Sequence, residues 1–599
     1  MISSVASRRY LAWAGGGCFL LYLALYLIPL DMRPLIIPDE SRYAEIPREM
    51  LDTGEWITPH LNGLRYFEKP VLGYWLTAGS IGFLGENAFA VRFPSALAVG
   101  ITALVIYRLL RRSNPSSRAG LLAAALYLTS IEVFAIGTSN ILDSVFALST
   151  TVSLATMFMA SQEGTPRRRR LLFAAAGLSM GLGFLTKGFL ALGIPAFVFI
   201  PYAIWTKRTR TFLATCWPAI AGAGAVILPW ALAIHLEEGD FWNYFFWTEH
   251  INRFMGSEPQ HPEPIWFFLP VILAGALPAT ALLPAALAGL TRDRLKSDFA
   301  RFCVCWFAVP FLLLSISRGK LITYILPCYP PLIIILSLGI IGYFSDGKLR
   351  AFNRGAAGLT TVLAVFTAGL ILSQVFDTPI PRIFSPAENW KWVVGVSGLT
   401  IWILLLLAAI GRDKPRNKLA LFCAAPVALL FCSHFIFPAA AQTGKAPGHF
   451  LLSQLHKLDS NAVLVSDSYC VSALCWYCDR SDILLLESQG ELEYGLSYSD
   501  DAGRFLSFDG FRKLIEKAST GRLFLVLDVD RYLEYRPFLP RPTAVKTGNG
   551  FVLAEFSFPP PSPSTYRADE ASSTKPRDGL SRDNSPPRKK HGFRKGANV

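Results

Sequence analysis

The sequence predicts a helical protein that crosses a membrane many times and carries a small α/β domain on one face. Three observations lead there. Apolar runs near twenty residues recur, each long enough to span a bilayer core of about 30 Å. Basic residues gather in short linkers between those runs rather than over one surface. After Pro438 the long apolar runs stop, and helix-like and strand-like pieces alternate. Composition agrees, with 52% apolar residues over 599 positions and a mean hydropathy of +0.38. The formal net charge of +14 would suit nucleic acid only on a soluble basic surface. None is apparent outside the extreme C-terminus, so no nucleic-acid partner is expected.

Taken in order, Arg8 and Arg9 precede an apolar run over 10–30. It is longer than a signal-peptide core and lacks a small-x-small cleavage site, so it reads as a retained first span. Basic linkers follow around Arg108 to Arg118, Arg167 to Arg170, Lys207 to Arg210, Arg292 to Lys296, Lys348 to Arg354 and Arg412 to Lys418. One alternation places them all in the cytoplasm, as the positive-inside rule asks. The spans are then 10–30, 88–107, 119–138, 141–160, 171–186, 188–205, 212–234, 264–289, 300–316, 321–344, 356–374, 390–411 and 419–437. That is about thirteen crossings, with the N-terminus inside and the C-terminus outside. No internal repeat is evident.

The outer face then holds the loop 31–87, turns at Ser139-Asn140 and Lys187-Gly188, the loop 235–263, the turn Ser317 to Lys320, and everything after Pro438. The loop 31–87 is the richest polar stretch. Within it Glu40 to Leu51 has helical spacing, with Asp39 or Ser41 as N-cap and Gly54 closing the end. Tyr43, Trp56, Tyr66 and Phe67 interleave with its charges, which suits a headgroup layer or a pocket for a lipid-linked polar ligand. Asp39, Glu68, Lys69, Asp143, Lys187, His250, Arg253 and Lys320 all fall on this face. Ionisable groups converging near span ends are costly unless they line a site. Lys187 and Asp143 also fit as snorkelling or capping residues. His250 fits as a lone interfacial histidine, and Lys320 as a headgroup contact.

Residues 438–557 make up the outer α/β domain, with strands at Ala462 to Ser466 and Leu523 to Asp528 and an amphipathic helix over Phe508 to Ala518. From 558 to 599 proline, serine and basic residues dominate, and the tail is expected to be disordered. Cys475 and Cys478 have redox-pair spacing, but a structural disulfide in an oxidising compartment is the favoured expectation, with one cysteine left over. There is no Walker A motif and no G-x-G-x-x-G after a strand, so no nucleotide is expected.

At this point the motifs carry a resemblance. Ile37-Pro38-Asp39-Glu40-Ser41-Arg42-Tyr43-Ala44-Glu45-Ile46 resembles the first-loop signature of the bacterial lipid A aminoarabinose transferases. These are polyprenyl-phosphate-dependent GT-C glycosyltransferases related to the protein O-mannosyltransferases. The similarity continues through Glu55 to Leu61, Leu64 to Pro70, Leu185 to Gly188, Glu249 to Phe254 and Lys320 to Pro327. In the outer domain it covers Arg480 to Ile483, Gly490 to Leu496 and Gly503 to Phe505. The first-loop motif alone speaks for the superfamily, and the outer-domain motifs narrow it to the aminoarabinose branch. The Cys475-Trp476-Tyr477-Cys478 cluster and the basic tail depart from the family pattern.

The resemblance implies a GT-C catalytic domain over 1–437, in the bacterial inner membrane with its site facing the periplasm. The implied reaction moves 4-amino-4-deoxy-L-arabinose from undecaprenyl phosphate to a lipid A phosphate. That masks negative charge and so implies resistance to polymyxin and cationic peptides. Asp39, Asp143 and Lys69 are the implied catalytic residues. Arg42, Lys69, Lys187, Arg253, Lys320 and Tyr324 would meet the donor phosphate or lipid, and Tyr43 and Tyr66 the sugar. Glu68 and His250 would hold a divalent ion, zinc by donor type, although two protein ligands make a thin site. The partners are the lipid-linked aminosugar, lipid A and membrane lipids, with the protein a monomer. An alternative is a sister glycosyltransferase with another acceptor. A lipid-sugar transporter is a third reading, but it would want ionisable residues at mid-span.

Overall fold

The computed structural model describes residues 13–113, 118–252, 261–379, 381–458, 462–501, 503–517 and 522–557. The tail expected from 558 onward lies outside them. Among the described residues eight helices are long and apolar enough to cross a membrane, and up to ten if each of two bent pairs is one span. The bent pairs are Ala119–Leu128 with Ile131–Gly137 (61°) and Phe268–Gly275 with Ala279–Gly289 (92°). Their breaks pack together, the Ile131 amide donating to the Leu277 carbonyl at 3.1 Å.

Among the described residues three of the thirteen expected crossings do not meet that length or hydropathy, the first of them described only from Trp13. Trp13–Leu27 and Leu190–Trp205 are shorter apolar helices, and Pro166–Lys187 spends its first turn on Arg167 to Arg170. Two other expected spans are not continuous α-helix. The one expected at 321–344 opens as the 3-10 turn Ile322–Cys328 before the helix Tyr329–Ser345. The one at 419–437 is broken between Ala424 and Val427, at Pro426. Prolines at 327 and 426 supply no amide to a helical ladder, which accounts for both interruptions.

Close approach of the helices relies on small residues. A Cβ at Gly177 would lie 2.0 Å from the Ala219 carbonyl oxygen on Trp217–Glu237. Those two backbones therefore touch where glycine allows it.

At one end of the bundle the loop after the first helix folds back as the helix Asp39–Thr53, the motif helix, followed by a hairpin and the helix Leu72–Leu84. The hairpin pairs β1 (His60–Leu61) with β2 (Leu64–Arg65) through Asn62 (φ 58°) and Gly63 (φ 71°). Positive φ at both turn residues is what Asn-Gly supplies at low cost. The motif helix ends as expected at Gly54 (φ 74°), whose amide donates to Met50 at 3.1 Å. Its start differs from expectation. Pro38 sits at the N-cap position and no side chain caps the helix. Asp39 instead pairs with Arg42, while Ser41 Oγ bonds the Pro38 carbonyl (3.1 Å) and Ser472 Oγ (2.8 Å).

Glu40, next to Asp39, is buried. Its carboxylate accepts from Arg33 (2.8 and 3.1 Å), Arg92 (2.8 Å twice) and the amides of Ile36 (3.0 Å) and Asn140 (3.1 Å). Burial alone would raise its pKa, but Arg33 and Arg92 outweigh that and hold it well below the usual carboxylate range. Arg92 spends its other donors on the carbonyls of Leu30, Arg33 and Pro34. The charges are thus compensated and their hydrogen bonds made, as buried ions require.

The C-terminal region holds a six-stranded mixed sheet in the order β5-β4-β3-β6-β8-β7. Here β3 is Val463–Ser466, β4 Leu484–Leu486, β5 Phe505–Leu506, β6 Arg522–Asp528, β7 Ala544–Gly548 and β8 Phe551–Ser557. The first four are parallel, β8 runs antiparallel to β6, and β7 pairs antiparallel with β8 and so runs in the direction of the first four. The central strands β3 and β6 and the helix Phe508–Lys517 fall where alternation placed them. All ten cysteines are free, which overturns the disulfide expectation. Cys475 and Cys478 share one helix, Val471–Cys478, at its C-terminal end rather than at the helix start a redox pair uses. Cys475 Sγ lies buried against Asn62 Oδ1 at 3.4 Å.

Two outcomes are expected from this architecture. Arg92→Met leaves the buried Glu40 carboxylate short of a partner and should cost about 3–5 kcal/mol. A melting curve in detergent should show a drop of several degrees, and an unchanged curve would mean that Arg33 alone suffices. In the sheet region, Asp467 is buried and its Oδ2 has no hydrogen-bond partner. Burial, opposed by the Cys470 amide and supported by the charge of Asp528, pushes its carboxyl up to about 6. A pKa raised by folding means that this group's contribution is full below about pH 4 and lost as pH rises through 6. Asp467→Asn should therefore raise the melting temperature at neutral pH, with the gain vanishing near pH 4. A gain equal at both values would point to packing instead.

Candidate active site

The site grows from the motif helix. Spacing i,i+3 sets Asp39 beside Arg42, and the two form an ion pair. Arg42 is nearly buried between two rings, its guanidinium carbon 5.0 Å from the Tyr43 centroid and 6.0 Å from that of Tyr66. On its far side it pairs with Glu491 from the C-terminal region. The Tyr66 hydroxyl donates to the same Glu491 oxygen at 2.8 Å. Asp39 is the exposed member, with 53% of its side chain accessible.

Electrostatics fix the charge states here. Burial works against the Arg42 cation, but Tyr66, Tyr43, Asp39 and Glu68 outweigh it and hold its pKa well above the usual value. Burial first, with the charges of Asp39, Glu68 and Asp143, pushes the Tyr43 phenol up despite Arg42. Tyr66 is raised in the same way, first by burial. Both phenols stay neutral and can donate.

Lys69 sits in the turn before Leu72–Leu84. Its Nζ donates to the Glu68 carbonyl at 2.9 Å and lies 3.7 Å from Glu68 Oε2 and 3.5 Å from Glu249 Oε2. Asp143 opens the helix Asp143–Gln162, and Lys187 closes Pro166–Lys187. Each complements its own helix dipole, and they meet across the helices at 2.8 Å. Lys187 Nζ also lies 4.6 Å from the Tyr324 ring centroid, on the 3-10 turn. Lys320 is buried and donates to the Glu263 carbonyl at 2.7 Å, so it buttresses the segment around Glu263.

Of the expected site residues, Asp39, Arg42, Tyr43, Tyr66, Glu68 and Lys69 are brought together, with Asp143, Lys187 and Tyr324 as a second pole. Arg253 lies outside the described residues, and so does the side chain of His250. Glu68 is therefore the one described member of the expected metal pair. The described residues alone do not make up a metal site there. The three-donor group they do contain is Glu45, Glu49 and Cys475, with ligand atoms within 4.8 Å of one another. Its donors are already engaged. Glu45 binds Arg48 through both oxygens (2.9 and 2.6 Å), and Glu49 accepts the amides of Asn62 (2.5 Å) and Gly63 (2.9 Å). Burial first, then its neighbour Glu49, raises the Glu45 carboxyl against the pull of Arg48. A guanidinium already occupies the place of a cation.

Sequence reasoning missed Glu249 and Glu491 as site residues, and Arg33, Glu40 and Arg92 as its frame. Both missed carboxylates lie inside motifs that carried the family resemblance.

Paired charges and buried phenols gather at one end of an apolar helical bundle as a candidate active site, and the family matches give its class as glycosyltransferase. Residues 15–245 match the family described as dolichyl-phosphate-mannose-protein mannosyltransferase. Residues 442–555 match the C-terminal domain of the arabinosyl transferase ArnT. The fold resembles the crystal structure of ArnT from Cupriavidus metallidurans bound to undecaprenyl phosphate, with a TM-score of 0.74 at 23% identity, covering 91% of this chain and 98% of that one. A relative from Pectobacterium carotovorum, the undecaprenyl phosphate-alpha-4-amino-4-deoxy-L-arabinose arabinosyl transferase, is 39% identical over 540 residues, 89% of this chain and 96% of its own. The protein of the same name from Aeromonas salmonicida is 37% identical over 86% of this chain and 93% of its own. The chain belongs to the family of undecaprenyl phosphate-alpha-4-amino-4-deoxy-L-arabinose arabinosyl transferases.

Proposed function

We propose that this protein transfers 4-amino-4-deoxy-L-arabinose from undecaprenyl phosphate to a phosphate of lipid A, at the periplasmic face of the inner membrane. The observation that carries the reading is the gathering of the pairs Asp39–Arg42, Lys69–Glu249 and Asp143–Lys187 at one end of an apolar bundle. A lipid-linked donor places its phosphate at that depth, with its prenyl chain among the spans. The modification would mask negative charge on lipid A, and with it the attraction for polymyxin and other cationic peptides.

In the reaction the bond from the anomeric carbon to the donor phosphate oxygen breaks, and a bond to an acceptor phosphate oxygen forms. Undecaprenyl phosphate leaves with the electron pair, so negative charge grows on it. Lys69, Lys187 and Arg42 supply positive charge, and Arg253 is the further proposed contact. In the free protein the two lysines rest against Glu249 and Asp143, so phosphate can replace those partners without unscreened cations being stored. An acceptor phosphate is already ionised and needs no base. Asp39 and Asp143 then serve electrostatically, toward the sugar's ammonium or the positive charge developing at the anomeric carbon.

A hydroxyl acceptor is the second reading, favoured by the match of residues 15–245 to the mannosyltransferase family. Mass spectrometry of lipid A from cells with and without the protein separates the two. An added aminopentose on lipid A is expected, and sugar on protein alone would overturn the lipid A reading. Lys69→Ala should lower transfer by more than about a hundredfold, roughly 3 kcal/mol of transition-state stabilisation, with the protein still folded. Near-normal transfer would reduce Lys69 to a headgroup contact. For orientation, a reporter active only in the periplasm should work when fused after Pro438 and stay silent at Arg170. The reverse pattern would put the site in the cytoplasm.

A further inference from the structure

Among the contacts between the two regions matched to families, residues 15–245 and 442–555, one carboxylate reaches the candidate site. We infer that Glu491 of the C-terminal region is a positioning residue for the transfer reaction, holding Arg42 and Tyr66 in the geometry the donor meets. The inference rests on the function proposed above and adds a residue which that reading does not require.

Arg42 has two anionic partners. Its Nη2 pairs with Asp39 and its Nη1 with Glu491, while its Nε is buried without a hydrogen-bond partner. Two carboxylates on opposite sides therefore set the plane of the guanidinium. The Tyr66 hydroxyl binds the same Glu491 oxygen at 2.8 Å, so one oxygen fixes both the cation and one of the rings that flank it. With that carboxylate gone, a nearly buried guanidinium keeps only Asp39. It would turn toward Asp39, neutralise the exposed carboxylate of the motif and leave Tyr66 without an acceptor.

The segment that delivers Glu491 is clamped on both sides. Gly490 has φ 51°, and a Cβ there would meet Ser468 Oγ at 2.6 Å. The hydroxyls of Ser468 and Ser488 are hydrogen-bonded at 2.7 Å. A Cβ at Gly495 would lie 2.5 Å from the Arg65 carbonyl oxygen on β2. Tyr498 reaches across to Asp240 at 2.6 Å, and its ring lies 4.3 Å from the Arg65 guanidinium carbon. This placement is rigid, which is what a group that orients another must have. Of the contacts that dock the C-terminal region on the first loop, this is the one that reaches Arg42 and Tyr66, and through it the docking bears on transfer.

The test uses purified full-length protein with undecaprenyl-phosphate-linked aminoarabinose and lipid A. Glu491→Gln keeps the shape and an acceptor for Tyr66 but removes the charge. Its kcat/KM for the donor should fall at least about tenfold, with the melting temperature within about 2 °C of wild type. Glu491→Asp should recover part of the loss, and Glu516→Gln, exposed on the helix Phe508–Lys517, should change nothing. A contact that only glues the two regions together would lower stability and spare the rate. Adding Glu491→Gln to Arg42→Lys should cost less than about twofold more than Arg42→Lys alone, because both break the same pair. Losses that multiply, or a Gln variant within about twofold of wild type, would overturn the inference. If Glu491→Gln proves unstable, the cycle is run with Glu491→Asp and Tyr66→Phe, and multiplying losses overturn it in the same way. A wild type inactive with this donor and acceptor would overturn the function itself. An active wild type with an unimpaired Gln variant would overturn this inference alone.

Discussion

One buried carboxylate, Glu40, holds the catalytic end of the molecule together. It gathers Arg33 from the preceding loop, Arg92 from the span Ala88–Ser113 and the Asn140 amide from the turn before Asp143. Arg33 in turn binds the Thr138 carbonyl and Ser139 Oγ, both at 2.9 Å. Three segments, the preceding loop, the span Ala88–Ser113 and the turn 138–140, are thereby fixed around one residue of the motif helix. Asp39 precedes it by a single position, so it inherits that fix. Asp143 lies three residues beyond the bonded Asn140, so the second pole is registered against the first by the same carboxylate. Hydrophobic packing could hold these segments near one another. Directional ionic hydrogen bonds specify their rotation and depth as well.

The motif helix extends the same logic along its length. Apolar faces are non-directional, but here most of the helix from Glu40 to Met50 is buried with its charges inside. Each charge is answered locally. Glu40 faces the spans, Arg42 faces Glu491, and Arg48 faces Glu45, Asp52 and Asp479. Glu49 takes the two hairpin amides, while Asn62 at the hairpin tip exchanges hydrogen bonds with the backbone of Ile483 at 2.8 and 2.9 Å. The first loop therefore docks into the C-terminal region through polar contacts that work in only one register. That suits a site which must admit a charged substrate, because an apolar seam there would favour lipid over phosphate.

How much of this was legible follows from what each signal depends on. Span length is a local property, so runs of apolar residues marked the helices well. It failed where proline and arginine altered the helix inside a run, as at Pro327, Pro426 and Arg167 to Arg170. The strands β3 and β6 were legible because buried parallel strands are short continuous apolar runs. Asp39 and Lys69 stood out because their loop was too polar and too aromatic for its setting. The pairing of Asp143 with Lys187 was only half visible, since each is a plausible helix-end residue by itself. Glu491 lies 425 positions from Tyr66, and Arg92 lies 52 from Glu40. No periodicity reports such contacts. The disulfide expectation failed for the same reason, because cysteine spacing says nothing about which face of a helix is already committed to Asn62.

The site's charge balance explains how one arrangement can handle a donor of mixed charge. The aminosugar carries a cation and its carrier an anion, separated by the sugar ring. In the reaction proposed above, Lys69 and Lys187 would meet the anion, and Asp39, exposed beyond Arg42, the cation. Asp39 is the exposed partner of its ion pair with Arg42, so a cation could approach it from solvent. The lysines, by contrast, are nearly enclosed, each against a carboxylate. In that proposal an entering phosphate would take over those contacts, and the freed Glu249 and Asp143 would add negative charge beside the sugar. That is where positive charge develops as the glycosidic bond breaks. The exchange of partners thus strengthens the transition state more than the resting complex, the condition under which binding energy becomes rate.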